Sequence, residues 1–198
     1  EVDFDGSFVY CTEEESRRVS LEAIALKGTC FNNTELQVVR QHSSPLSPPP
    51  FMVGMAEVEV DTETGSVELL DYVAVVDCGT PINPNLARVQ TEGGLVQGIG
   101  MALSEDVQYT EKGKIRNNSF MQYKIPTRED IGDIRVDFEC SYEKTGPFGA
   151  KSIGELVIDT PCPAIAEAVY NATGVRVREL PILPEKIAMG ILKKKGLK

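Results

Sequence analysis

A chain of 198 residues with 41% hydrophobic and 25% charged positions has the make-up of an ordinary globular protein, long enough to bury a core. Its 30 acidic residues against 20 basic ones leave a formal charge of −10, whose field repels phosphate backbones and anionic bilayers, so nucleic acid and membrane surfaces are not expected partners. The longest apolar runs, such as Tyr72 to Val76, fall far short of the roughly 18 residues that a membrane span needs.

Five cysteines, Cys11, Cys30, Cys78, Cys140 and Cys162, are odd in number and scattered, with no pair two residues apart. They read as reduced thiols of a cytoplasmic protein and not as a zinc or disulfide framework. The chain opens on Glu1, and no basic stretch is followed by an apolar one. The expectation is a piece of a longer chain, without a signal peptide.

Residues 1–50 read as a connecting arm. They hold an acidic stretch at Glu13 to Glu15, one modest helical pattern from Ser20 to Lys27 stopped by Gly28, and a Ser/Pro run from Ser43 to Pro50 whose last three prolines favour an extended conformation. A compact part of residues 51–198 follows. In it Ala56, Val58 and Val60 alternate with Glu57, Glu59 and Asp61, the period of a half-buried strand. After a turn at Thr62 to Gly65, Val67 to Val76 reads as a longer strand of the same hairpin. A helix is expected from about Asn85 to Leu103, with Leu86, Val89, Gly93, Val96, Gly100 and Leu103 on its apolar stripe.

Gln108 to Arg116 carries a hairpin signal at Lys112-Gly113-Lys114, Met121 to Pro126 reads as irregular, and Ile134, Val136 and Phe138 alternate as a further strand. Thr160 is placed to cap a helix that starts at Pro161 and closes at Gly174. Val175, Val177 and Glu179 to Ile182 suggest a short strand, and Pro184 opens a last helix over Glu185 to Leu192 whose Lys193 to Lys195 tail suits the negative end of the helix dipole. The fold class is therefore α+β, a mixed or antiparallel sheet packed with helices.

Two segments break local rules. The helix at residues 85–103 contains Gly93, Gly94, Gly98 and Gly100, a loss of about 3 to 4 kcal/mol in helix propensity relative to alanine. Either the helix packs closely against the sheet, or a ligand approaches its backbone near the Gln97 amide. The second segment, Gly146 to Glu155, interrupts a strand-to-helix connection with three glycines and one carboxylate. Glu155 stands four residues after Lys151, which allows an exposed ion pair worth under about 1 kcal/mol. On a rigid loop between Ile153 and Leu156 the same carboxylate, partly desolvated, would instead be a useful general base. His42, the single histidine, has neither an acid nor a nucleophile near it in sequence, so no Ser-His-Asp triad and no two-histidine metal arrangement is available.

Three ordered blocks carry a resemblance: Val73 to Leu103 (VAVVDCGTPINPNLARVQTEGGLVQGIGMAL), Gly146 to Glu155 (GPFGAKSIGE) and Thr160 to Ile187. Over about Phe51 to Ile187 the sequence resembles the C-terminal part of the molybdopterin-binding large subunit of the xanthine dehydrogenase and aldehyde oxidase family; residues 1–50 resemble it loosely. The resemblance implies a molybdenum hydroxylase acting on a heterocycle or an aldehyde with water-derived oxygen, and for Glu155 the role of general base toward the metal's hydroxide. It implies cofactor contacts at Gln97, Gly98, Lys151, Ser152 and Gly154, with no metal ligand from this chain. It also implies a small-molecule substrate and, as partners, the remainder of the molybdenum-binding subunit, an iron-sulfur subunit and an FAD subunit. The family commonly has proline after the catalytic glutamate where this chain has Leu156, and its other cofactor-binding segments lie N-terminal to the matching region. The expected isolated chain is therefore inactive. A non-catalytic scaffold or assembly module derived from the family is the alternative.

Overall fold

A computed structural model describes residues 1–31, 37, 39–41 and 43–196; the expectation for His42 lies outside the described residues. The chain divides into two compact units, Glu1–Ser43 and Ser44–Lys198.

The first unit holds three strands that the sequence did not announce. β1 (Val2–Phe4), β2 (Phe8–Cys11) and β3 (Arg18–Ser20) form an antiparallel sheet in that order, followed by α1 (Leu21–Phe31). The first turn is set by Asp5, whose carboxylate accepts the N–H groups of Ser7 (2.8 Å) and Phe8 (2.6 Å), with Gly6 at φ 99°. The Ser20 hydroxyl accepts the Ala23 N–H at 3.1 Å and so opens α1. Gly28 does not stop this helix, which runs on to Phe31; one glycine costs a helix interior only about 1 kcal/mol. None of the described hydrophobic side chains of this unit is buried.

The second unit is built on a three-stranded sheet of order β4-β5-β6. β4 (Phe51–Val60) and β5 (Val67–Asp77) are an antiparallel hairpin with a bulge between Glu57 and Val58. Asp61 shapes its turn by accepting the Glu63 N–H at 2.8 Å, and Gly65 supplies a φ of 81°. As the alternation requires, Ala56, Val58 and Val60 face inward and Glu57 and Glu59 outward. β6 (Asp133–Phe138) lies parallel to β5, pairing Asp71 with Asp133 through to Val76 with Phe138. Between them run α2 (Pro84–Leu103) and an irregular segment where Tyr109 and Ile115 make a single bridge instead of full hairpin strands.

α2 starts where expected, with Asn83 Oδ1 accepting the Leu86 N–H at 3.1 Å and Pro84 in the first turn. Its buried face is not the expected one. Thr91, Gly94, Leu95, Gly98, Ile99, Gly100 and Ala102 are buried, while Leu86 and Val89 are 66% and 64% exposed. Glycines carry no hydropathy and Thr91 reads as polar, although its hydroxyl is satisfied by donating to the Ala87 carbonyl at 2.9 Å. The true interior stripe was therefore hidden.

α3 (Pro161–Thr173) closes on Gly174 at φ 68°, as the sequence indicates. Thr160 does not cap it with its side chain; the hydroxyl instead accepts from the buried Tyr72 OH at 2.8 Å. No strand forms at residues 175–182. Pro181 has no N–H to give a ladder, and the Ile182 N–H donates to the Ala102 carbonyl at 2.6 Å while Val175 and Ile182 fill the core with Ile99, Ile165, Val169, Ile187 and Ile191. α4 (Pro184–Lys194) follows, and its Lys194 Nζ donates to the Gly174 carbonyl at 2.9 Å beyond the end of α3. A second core cluster joins Tyr72, Ala74 and Val76 of β5 to Leu95, Val136, Leu156 and Val157. No described helix is long and apolar enough to cross a membrane.

Candidate active site

Two of the cavities lined by α2 adjoin each other. One, of about 230 Å³, is walled by Gln90, Gly93, Gln97, Gly154, Val157 and Ile158 among others; the next, of about 390 Å³, by Cys78, Asn83, Gln90, Lys151, Ile153 and Gly154. Gln90 and Gly154 belong to both, so the amide-bearing face of the helix and the glycine-rich loop meet at one concave surface. Gln90 was missed in the sequence reading. It stands seven residues before Gln97, two helical turns, and that spacing places both amides on one face.

Glu155 directly follows Gly154 and is exposed. Its Oε1 accepts the Ser152 hydroxyl at 2.5 Å, while Oε2 has no hydrogen-bond partner among the described residues. The exposure corrects the expectation that Ile153 and Leu156 desolvate it; those neighbours turn inward instead. Leu156 and Val157, 8% and 1% exposed, are locked into the second core cluster immediately after the carboxylate. Burial of a leucine thus holds the backbone where the family commonly has a proline.

Lys151, which lines the larger of the two cavities, spends its ammonium elsewhere. Its side chain is only 6% exposed, and Nζ is bound to Asp77 Oδ2 at 2.7 Å with the Phe51 ring 5.2 Å away. Among the described residues its ammonium pairs with Asp77 and not with Glu155. Gly98 is buried, and a Cβ there would lie 2.7 Å from Pro161 Cγ and 2.9 Å from the Ile158 carbonyl, so a glycine here admits the start of α3. Gly94 against Val157 and Gly100 against Glu105 and Pro126 have the same explanation. Of the four helix glycines only Gly93 faces open space, with nothing within 4 Å of a built Cβ.

Asp77 ends β5, and the sequence reading did not single it out. Besides Lys151 its carboxylate accepts the Ser141 hydroxyl (2.6 Å) and the Gly79 N–H (2.9 Å). Burial raises its pKa, but these three donors outweigh burial and leave it below the usual carboxylate value. Because the folded value is the lower one, the stability Asp77 contributes is present above the unfolded pKa of about 4 and disappears as pH falls through the folded value. Thermal melts of wild type and Asp77→Asn should therefore differ most near neutrality and converge in strong acid. A gap in Tm that stays constant down to pH 2 would refute this account.

A larger cavity of about 970 Å³, between residues 66–70 and 103–133, lies elsewhere. Two of its charged groups serve the loop around it: Arg128 Nη1 donates to the Ile131 carbonyl at 2.8 Å, and Asp130 accepts from the Thr127 N–H and hydroxyl, both at 2.7 Å. The α2 cavities, with amides not so consumed, are the better site.

Residues 1–132 match the family model described as a molybdopterin cofactor-binding domain. The chain belongs to this family. The match takes in the first 50 residues and stops before Glu155. The chain is 39% identical over 137 residues to an aldehyde oxidoreductase of Megalodesulfovibrio gigas, covering 68% of this chain and 15% of that protein. It is 31% identical over 185 residues to a xanthine dehydrogenase molybdenum-binding subunit of Escherichia coli, covering 92% and 25%. Its fold matches that of reconstituted CO dehydrogenase from Oligotropha carboxidovorans with a TM-score of 0.82 at 22% identity, over 98% of this chain and 25% of the other. The chain thus spans about a quarter or less of the length of these relatives.

The lining fits part of such a cofactor. The amides of Gln90 and Gln97 offer donors and acceptors to the polar edge of a pterin, and Gly93 and Gly154 leave backbone open beside them. A phosphate finds no free cation here: among the described residues Lys151 is the only charged one lining these two cavities, and Asp77 holds it.

Proposed function

We propose that the chain forms one wall of the active site of a molybdenum hydroxylase that oxidises a heterocycle or an aldehyde, with Glu155 as the general base. The reading rests on one juxtaposition: the Gln97 amide and Gly154 share a cavity, and the next residue after Gly154 is an exposed carboxylate oriented by a serine. When bound, molybdopterin supplies the two-electron redox centre. Gln97, Gln90, Gly93 and Gly154 contact its pterin edge. Ser152 fixes Oε1 of Glu155 by hydrogen bonding, which leaves Oε2 as the atom that would take the proton released in the hydroxylation. A carboxylate held in this way loses little entropy in reaching the geometry of proton transfer.

The rest of the molybdenum-binding subunit supplies the cation-bearing and remaining substrate-facing walls, and electrons leave through iron-sulfur and FAD partners. The five cysteines, all free in this fold, accord with a reducing cytoplasm. Glu155→Gln in the complete enzyme tests the assignment: turnover should be lost with molybdenum retained.

A companion result concerns the isolated 198 residues. With amides but no free cation in the cavity, they should bind no molybdopterin and show no hydroxylase activity. Stoichiometric molybdenum in the purified chain, measured by plasma mass spectrometry, would contradict this.

A further inference from the structure

The loop that carries Ser152 and Glu155 is tied down at a point just before them. Lys151 is fixed at both ends, its backbone N–H donating to the Cys78 carbonyl at 2.7 Å and its ammonium held by Asp77. The same junction is closed by the Thr80 N–H on the Gly149 carbonyl (2.9 Å) and by a bridge between Gly79 and Ala150. Gly79 is required there, since a Cβ would come within 2.2 Å of the Gly149 carbonyl oxygen. Ahead of Lys151 the chain makes a strained turn in which Phe148, 82% exposed, adopts φ 54°. Such a conformation persists only when its surroundings over-determine it.

Resting on the assignment of Glu155 as base, we propose that the Asp77–Lys151 pair, braced by Ser141, is a positioning device that aims the Glu155 carboxylate at the reacting centre. This pair is partly buried, Lys151 at 6% and Asp77 at 21% side-chain exposure, and such a pair is weak evidence for stability, because desolvating two charges offsets much of their attraction, and an apolar replacement of similar volume is often tolerated. What such a pair fixes well is geometry. Asp77 gathers four segments on one carboxylate: the end of β5, the Gly79 turn, Ser141 beyond β6, and the catalytic loop. Leu156 and Val157 clamp the other side of Glu155 in the core. The carboxylate is therefore suspended between two anchors, one ionic and one apolar, only five residues apart. Releasing the ionic anchor frees Ser152 and Glu155 to swing while Leu156 keeps the fold together.

The experiment uses the complete assembled enzyme and compares Lys151→Met, Ser141→Ala, Glu155→Gln and the double variant Lys151→Met/Glu155→Gln. Lys151→Met should lower kcat by about tenfold to a hundredfold, the scale of misplacing a reacting group by an ångström. KM should stay within about twofold and molybdenum content should not change, since the loss lies in the chemical step. Amide hydrogen exchange over residues 152–156 should accelerate. Placed on Glu155→Gln, the same substitution should add no more than about twofold, because the pair acts only through that carboxylate. Ser141→Ala removes one exposed brace; it should lower kcat several-fold and accelerate the same amides, and it decides the matter should Lys151→Met not fold. Wild-type kcat and exchange in either variant that folds, or full additivity with Glu155→Gln, would overturn the proposal. If Glu155→Gln itself turned over normally, the assignment of the base would fail instead, and exchange over 152–156 would still report whether the pair holds the loop.

Discussion

In the complete enzyme, Glu155→Gln is expected to lower kcat by about a hundredfold to ten-thousandfold, the usual contribution of a positioned general base. At about 1.4 kcal/mol per decade this is roughly 3 to 5 kcal/mol of barrier. The amide is nearly isosteric and can still accept the Ser152 hydroxyl, so the loop, Leu156 and Val157 should remain in place. What is lost is the acceptor at the second side-chain oxygen position, where an NH₂ cannot take a proton. Molybdenum content should be close to wild type, because the pterin contacts assigned here lie on Gln97, Gln90, Gly93 and Gly154. Turnover within a few-fold of wild type would remove Glu155 from the mechanism. Lost turnover together with lost molybdenum would make it a cofactor anchor.

Gly98→Ala and Gly93→Ala should move stability in opposite directions although both replace glycine by alanine in the same helix. Each gains about 1 kcal/mol of helix propensity. At Gly93 nothing stands within 4 Å of the new methyl, so the gain survives and Tm should rise by about 2 to 4 °C. At Gly98 the methyl would stand 2.7 Å from the Pro161 ring and 2.9 Å from the Ile158 carbonyl, groups that cannot rotate away. Overpacking of about 1 to 3 kcal/mol or more then exceeds the propensity gain, and α2 must lift off the start of α3. Thermal melts should show Gly98→Ala below wild type and Gly93→Ala above it; the reverse order would mean that the α2–α3 contact is not as close as described. In the complete enzyme Gly93→Ala should lower molybdenum content, since its open backbone is assigned to the cofactor.

Where hydrophobicity alternates against charge, the sequence is transparent. Glu57 and Glu59 betray β4, and Pro161, Gly174 and Pro184 mark helix ends with local chemistry that acts within four residues. It becomes opaque where the deciding partner is remote. Asp77 and Lys151 are 74 positions apart, and nothing near either one names the other. The apolar pattern at residues 175–182 resembles a strand because residues that plug a core between helices are spaced much as strand residues are. β1 to β3 are three or four residues long with both faces exposed or half-buried, too short for a period to register. At the site, the glycine-rich helix and loop were visible as anomalies, but most of the glycines answer to internal packing, which only neighbours in space reveal.

The parallel pairing of β5 with β6 fixes an order of events during synthesis. Residues 78–132, including all of α2, must emerge and fold back before β6 can reach its place, so the Val-rich border of β5 waits with open donors and acceptors. Self-association is the characteristic hazard of such a pause. The nascent chain, more than the finished molecule, is where this architecture is vulnerable to clumping.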